Sequence, residues 1–226
     1  MRILTIILSL VYANAFAQVT AFTEVTPEMF PKVKNLAEQG DSFNQWVVGE
    51  CYRKGEGVSK DQAEAVKWFR KLAEQNNSLG QLSLGICYSN GEGVTKDPVE
   101  AVEWYRKSAE QENGLAQLCL GICYSNGEGV TKNPVEAVKW YHKAAKQGYA
   151  DALNNLGICY SKGIGVLKDP VEAYACFNIA GITSELGRKN RDKLEKEMTP
   201  SQREAGLKRS KELGAQIEFK NPANIK

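Results

Sequence analysis

The chain has 226 residues, of which 42% are apolar and 25% are charged, and this composition is typical of a folded protein of one or two domains. With 29 Lys and Arg against 27 Asp and Glu the formal net charge is +2, and no basic block could neutralise a run of phosphates, so nucleic acid is not an expected partner. The only histidine is His142, which argues against a Ser-His-Asp triad and against metal sites or proton relays that need several imidazoles.

Residues 1–17 have the pattern of a secretory signal peptide. Arg2 supplies a positive charge, residues 3–11 are almost wholly apolar, and Ala15 and Ala17 flank a cleavage site before Gln18. A membrane anchor is the alternative, but an apolar stretch of about ten residues is half of the ~20 needed to span a bilayer. The sequence therefore predicts an exported chain, in the periplasm or secreted, without a membrane span.

The rest of the chain repeats itself every 36 residues. A glycine recurs at this interval in four successive copies: Gly49, Gly85, Gly121 and Gly157. A Cys-Tyr pair and a Gly-x-Gly-Val turn recur in the same register, and a fixed period of this length is typical of stacked helical repeats.

Each copy is predicted to contain two helices, A and B. In the second copy helix A runs from about Asn77 to Asn90, and Gly91 allows it to end in a left-handed conformation. Helix B begins at Pro98, because Asp97 and Glu100 form a capping-box pattern around it.

The motif A-x-x-x-L-G-x-x-Y-x-x-G-x-G-V-x-K-D, followed by W-Y-x-K-A-A, resembles the Sel-one-like repeat, a relative of the tetratricopeptide repeat. The resemblance implies an all-α, right-handed α-solenoid of antiparallel helix pairs. The expected organisation is a signal peptide (1–17), an N-terminal cap helix (18–40), four repeats (41–185, divided as 41–76, 77–112, 113–148 and 149–185), C-terminal capping helices (186–214) and a flexible tail (215–226). The closing segment resembles that of bacterial members, which points to a bacterial envelope.

Six cysteines in an exported chain raise the question of disulfides. Four of them occupy the position of helix A just before the tyrosine, and these are predicted to be reduced core residues: Cys51, Cys87, Cys123 and Cys159. A Cys159–Cys176 bridge is left open, because the two lie on the paired helices of the fourth copy. Cys119 and Cys123 lack further ligands nearby, so neither a metal nor a cofactor is expected.

Helix A also carries apolar residues on the face opposite its core side, where a solvated helix would be polar. This face is predicted to line a concave groove that binds a partner protein or peptide. The predicted partner-binding residues are Trp46, Glu50, Arg53, Leu82, Ile86, Asn90, Leu118, Ile122, Asn126, Asn154, Ile158 and Lys162. The alternative is that these side chains pack against neighbouring A helices.

The sequence thus predicts a non-catalytic, exported scaffold for protein–protein interaction, expected to be a monomer. His142 lies in helix B at the position of Arg70 and Arg106, where a solvated residue is the simplest interpretation. Two alternatives remain. One is an enzyme or binder directed at cell-wall or peptide material, since cysteine-rich relatives have been associated with β-lactam binding, and the other is a self-assembling structural array.

Overall fold

The computed structural model describes residues 25–217, and these residues form helices and no strands. The helices are α1 (Phe30–Glu38), α2 (Ser42–Lys54), α3 (Gln62–Glu74), α4 (Ser78–Asn90), α5 (Pro98–Glu110), α6 (Gly114–Asn126), α7 (Pro134–Lys146), α8 (Ala150–Lys162), α9 (Pro170–Ala180), α10 (Glu185–Glu195) and α11 (Pro200–Gln216). The prediction of an all-α fold of helix pairs is confirmed. The predicted signal peptide lies outside the described residues.

The chain divides into two compact units, Met1–Ala116 and Gln117–Lys226. In the first unit α2 packs against α3, α3 against α4, and α4 against α5. In the second unit α7 packs against α8 and α8 against α9, and α9 is then covered by α10 and α11. Within each unit, A helices (α2, α4, α6, α8) therefore alternate with B helices (α3, α5, α7, α9).

The helices begin and end at the capping residues that the sequence predicted. Gly91 ends α4 with φ 77°, in the left-handed region, and the Asp97 side chain accepts hydrogen bonds from the backbone N–H groups of Val99 and Glu100 at the start of α5. Pro98 occupies the first helical position, where its missing N–H costs nothing. Asp61, Asn133 and Asp169 cap the other B helices in the same way.

The repeated glycine of each A helix lies where the B helix of the same copy crosses it. A Cβ on Gly85 would stand 2.7 Å from the ring of Tyr105, which is closer than real Cβ contacts come. The equivalent rings are Phe69 against Gly49, Tyr141 against Gly121 and Phe177 against Gly157. The 36-residue recurrence of glycine thus reflects a close helix crossing filled by an aromatic ring.

The N-terminal segment occupies the place that the B helix of a preceding copy would take. In the second copy, Gly93 lies against the carbonyl of Gln62, at the start of the preceding B helix. In the first copy, Gly57 lies in the same way against the carbonyls of Val25 and Thr26, 36 residues before Gln62. The segment that begins at Val25 therefore closes the first unit in the register of the repeat.

The second unit is closed by α10 and α11. Gly206 of α11 lies against the ring of Tyr174, and Arg209 forms an ion pair of 2.7 Å with Glu172. Thr199 begins α11 with a capping box, in which its side chain and that of Gln202 accept hydrogen bonds from each other's backbone N–H. The helix continues to Gln216, so the predicted tail is wrong for residues 215 and 216, and its residues 218–226 lie outside the described part of the chain.

Candidate partner-binding surface

The first row of predicted groove residues is buried in every copy. Trp46, Leu82, Leu118 and Asn154 occupy equivalent positions of the four A helices, and their exposed fractions are 4%, 5%, 1% and 3%. The prediction that these four lie on an accessible surface is wrong. Packing within the array, which the sequence left open as the alternative, is what the structure shows for them.

The burial has a direct cause in the contacts between successive elements. In the first unit the Trp46 indole donates a hydrogen bond of 3.2 Å to Ser83 Oγ on the next A helix. In the second unit the Asn154 amide oxygen accepts a hydrogen bond of 2.7 Å from Asn190 on α10. At these two positions the row therefore connects an A helix to the element stacked on it.

The second row of predicted residues lies one helical turn after the first row, and in the first unit it is buried. Glu50 and Ile86 are 3% and 7% exposed, so the prediction of an accessible surface is wrong for these two as well. The Glu50 carboxylate is held by Arg53 at 2.9 Å, and Arg53 also lies 3.5 Å from Glu92 in the next turn. In the first unit a partly buried ion-pair network and the Trp46 indole thus occupy the face that the sequence predicted to be open.

The same row is open in the second unit. Ile122 on α6 and Ile158 on α8 are half-buried, and one helical turn earlier lie Cys119 and Asn155, which are also half-buried. One turn later follow the exposed side chains of Asn126 and Lys162. We call these residues the second-unit strip: Cys119, Ile122, Asn126, Asn155, Ile158 and Lys162.

The two units also differ in the size of one side chain of the first row. Trp46 covers Ser83 in the first unit, whereas Leu118 stands at the position of Trp46 two copies later, with Asn155 at the position of Ser83. A leucine has no indole to extend over the next helix, so Asn155 stays half-exposed. Cys119 and Asn155 were missed by the sequence reasoning, and their polar or small character next to isoleucine was the available signal.

Four of the predicted partner-binding residues, near the C-terminal ends of the A helices, remain accessible to different degrees. Arg53 and Asn90 are half-buried, and Asn90 donates a hydrogen bond of 2.9 Å to Glu92. Asn126 is exposed and donates in the same way to Glu128 at 3.2 Å, and Lys162 is exposed at the end of α8.

All six cysteines are free thiols, including Cys159 and Cys176. Five are buried and Cys119 is half-buried, so the four cysteines of the A helices lie in the core, as the sequence predicted. Burial raises the pKa of Cys51 to about 11 and that of Cys87 to about 12. Among residues 25–217 no group of three or more His, Cys, Asp or Glu side chains could hold a metal ion.

We expect these buried thiols to make the free energy of unfolding fall as the pH rises in the alkaline range. A thiol in the unfolded chain ionises near pH 8.5, whereas Cys87 stays protonated in the fold, so the folded state binds more protons above that pH and stability falls as pH rises. Urea unfolding under reducing conditions at pH 8 and pH 10 measures the fall. In Cys87→Ala the fall in the free energy of unfolding should be smaller by roughly 1 kcal/mol per pH unit. A fall equal to that of the wild type would contradict the burial of a protonated thiol at Cys87.

His142 is an exposed residue of α7 whose ring nitrogen lies 3.2 Å from the hydroxyl of Tyr160. Burial by its neighbours lowers the pKa of His142, with Glu172 acting in the opposite direction. In the first unit, Arg70 donates to the hydroxyl of Tyr88 at 2.9 Å. His142 therefore stands in an inter-helix contact of the repeat, with a phenol as its partner.

The repeating geometry corresponds to a known family. The Sel1 repeat family matches the chain at residues 45–77, 78–113, 114–149 and 150–181, which together make up more than half of it. The chain belongs to the Sel1 repeat family. Sel1 repeat proteins are generally scaffolds for protein–protein interaction, and their fold is typically non-catalytic. Among curated proteins, none matches this chain.

Several solved structures resemble this chain. A Sel1 repeat protein from Oxalobacter formigenes is 32% identical, with 79% of each chain covered and a TM-score of 0.67. Cysteine-rich protein B from Helicobacter pylori is 29% identical over 57% of this chain and 94% of its own, with a TM-score of 0.47. An immunity protein from Pseudomonas aeruginosa is 18% identical over 92% and 86% of the two chains, with a TM-score of 0.53, and shares the fold.

In the part of this Sel1 repeat protein that the structure describes, no helix combines the length and the apolar character needed to cross a bilayer.

Proposed function

We propose that this Sel1 repeat protein is a non-catalytic scaffold that binds a segment of a partner protein on the second-unit strip. One observation carries the proposal. At equivalent positions of α6 and α8, an isoleucine is left half-buried between polar side chains, whereas the same position is closed in the first unit. An apolar patch surrounded by a polar rim is the usual arrangement of a docking surface.

The strip suits a segment that lies across successive repeats. Ile122 and Ile158 would each supply one apolar contact, and Asn126 and Lys162 would supply hydrogen-bond donors at the end of each helix. Of the predicted partner-binding residues of the first unit, Arg53 and Asn90 remain accessible, and both are engaged in the network around Glu92.

The test is a selection of displayed random peptides on the purified protein, followed by fluorescence anisotropy with the synthetic peptides. The double variant Ile122→Glu, Ile158→Glu should bind them at least about 100-fold more weakly, because each anchor is replaced by a charge. Ile182→Glu is the matched control, since Ile182 is 62% exposed and lies outside the strip. Circular dichroism establishes that the variants are folded.

Two outcomes would overturn the proposal: no peptide is selected, or the double variant binds the peptides as the wild type does. Should the double variant lose helicity, Lys162→Glu replaces it, because Lys162 is exposed and its substitution leaves the packing unchanged. Unaltered affinity in that folded variant, together with unaltered salt dependence, would then count against binding at the strip.

We also propose that the chain is exported, on the pattern of residues 1–17. Expression of the full sequence in a bacterial host should yield a mature protein whose N-terminus is Gln18, as determined by mass spectrometry of the N-terminal peptide. Replacing Leu8 by Arg breaks the apolar stretch and should leave the unprocessed chain in the cytoplasm. A wild-type protein that retains residues 1–17 would contradict the proposal.

A further inference from the structure

The turn after α8 differs from the three earlier turns in what it presents to solvent. Ile164 stands where the earlier copies have Glu56, Glu92 and Glu128, and Leu167 stands where they have Ser59, Thr95 and Thr131. Ile164 is 38% exposed and Leu167 is 90% exposed. Two aliphatic side chains thus project into water where the repeat otherwise places polar ones, although burial of either would be favourable.

The turn also differs from the turn of the first copy in its charges. In the first copy, Lys54 at the end of the A helix lies 3.6 Å from Glu56 in the turn. In the fourth copy Lys162 takes the place of Lys54, but Ile164 removes the carboxylate. Among residues 25–217, neither Lys162 nor Lys168 has an ion-pair partner, and both are exposed. The turn therefore carries two unneutralised positive charges on either side of two aliphatic side chains.

We propose that turn 162–168 anchors an acidic, aliphatic segment of the partner protein, with carboxylates beside the two lysines and an aliphatic side chain against Ile164 and Leu167. This inference rests on the proposed function, because Lys162 belongs to both the turn and the second-unit strip. The segment would continue from the turn along α8 to Ile158, one helical turn before Lys162. Complementary charge sets the orientation of such a segment and the aliphatic contacts hold it.

A protein segment fits the surroundings of the turn better than an anionic membrane surface does. In the same unit, the preceding turn has an exposed carboxylate at Glu128, which would face an anionic bilayer unfavourably. The neighbouring positions of the strip, Asn155 and Ile158, are uncharged and half-buried, as suits a narrow segment. Two aliphatic side chains are also few for stable insertion into lipid.

The chain supplies its own matched variant. Lys162→Asn, Ile164→Glu, Leu167→Thr gives the fourth turn the residues that the second and third copies already use, so it should fold. The control makes the same kinds of change at exposed positions of the same unit outside the turn: Lys146→Asn, Ile182→Glu, Leu186→Thr. The probes are peptides selected on the wild type from a random displayed library, and vesicles of one part phosphatidylglycerol to three parts phosphatidylcholine.

We expect the selected peptides to be enriched in Asp or Glu next to Leu, Ile or Val. We also expect the turn variant to bind them at least about tenfold more weakly, with the control unchanged and wild-type affinity falling as salt is added. Peptides without acidic residues, or peptides that bind the turn variant equally well, would overturn the inference while the strip still stands as a binding surface. Failure to select any peptide would overturn the proposed function as well, and vesicle binding that only the turn variant loses would assign the turn to a membrane.

Discussion

Leu82→Glu is expected to lower the free energy of unfolding by about 3–5 kcal/mol, because a side chain buried against neighbouring helices is replaced by one that carries a carboxyl group into the same space. The loss combines the apolar burial of leucine with the desolvation of the new polar group. Urea unfolding followed by circular dichroism measures it. This variant separates a core position from an accessible one, which the sequence pattern alone did not do.

Leu207→Glu is the matched control for this substitution. Leu207 also lies within a helix, α11, but it is 49% exposed, so the same change should alter stability by no more than about 0.5 kcal/mol. Equal and small effects at the two positions would mean that Leu82 faces solvent, and the first unit would then offer the apolar surface that the sequence predicted.

Gly93→Ala is expected to cost about 2–5 kcal/mol, through two separate effects. The residue has φ 72°, where a side chain is strained, and a Cβ there would overlap the carbonyl group of Gln62. Because the obstacle is backbone at the start of a helix, neither partner can move aside without loosening the contact between two copies. Thermal unfolding of the purified variant measures the loss.

Gly40→Ala isolates the conformational part of that cost. Gly40 also has a positive φ, of 99°, but no atom lies within 4 Å of the position of its Cβ. The change should therefore cost only about 1–2 kcal/mol. If the two alanine variants unfold at the same temperature, the close approach of Gly93 to Gln62 has no energetic consequence, and the account of the repeat contact is wrong.

The sequence predicted the helices well because their boundaries depend on local chemistry. Asp97 and Pro98 start α5, and Gly91 ends α4, through interactions within a few residues. The 36-residue recurrence added the pairing of helices, since the glycine of each copy meets the aromatic ring of the same copy. Local signals that repeat four times leave little freedom in assigning the fold.

The sequence could not predict which part of the A-helix face is open. Residues 84–96 and 120–132 have the same sequence, yet Ile86 is buried and Ile122 is half-buried. Identical local sequences carry identical local signals, so the difference comes from residues elsewhere in the stack. The first unit differs from the second in having Trp46 and the Glu50–Arg53 ion pair on this face, and how far such side chains reach depends on packing between copies.

The exposed turn of the fourth copy was visible in the sequence but its meaning was not. Ile164 breaks the Gly-Glu-Gly pattern of the other copies, and such a break is compatible with either a buried contact or an exposed one. Only the structure shows that Ile164 and Leu167 both face solvent. For proposing a functional surface, departures from the repeat consensus at exposed positions are therefore more informative here than the apolar pattern of the A helices.

Site-specific photocrosslinking tests the central claim, that the second-unit strip binds a partner protein, most directly. A photoreactive amino acid is introduced at Ile158 in one sample and at Ile182 in another, within cells that make the protein, and the adducts are mapped by mass spectrometry. The claim predicts a defined adduct from Ile158, joined to an acidic, aliphatic segment, and none from the equally apolar and more exposed Ile182. The same adduct from both positions, or an adduct from Ile182 alone, would contradict it.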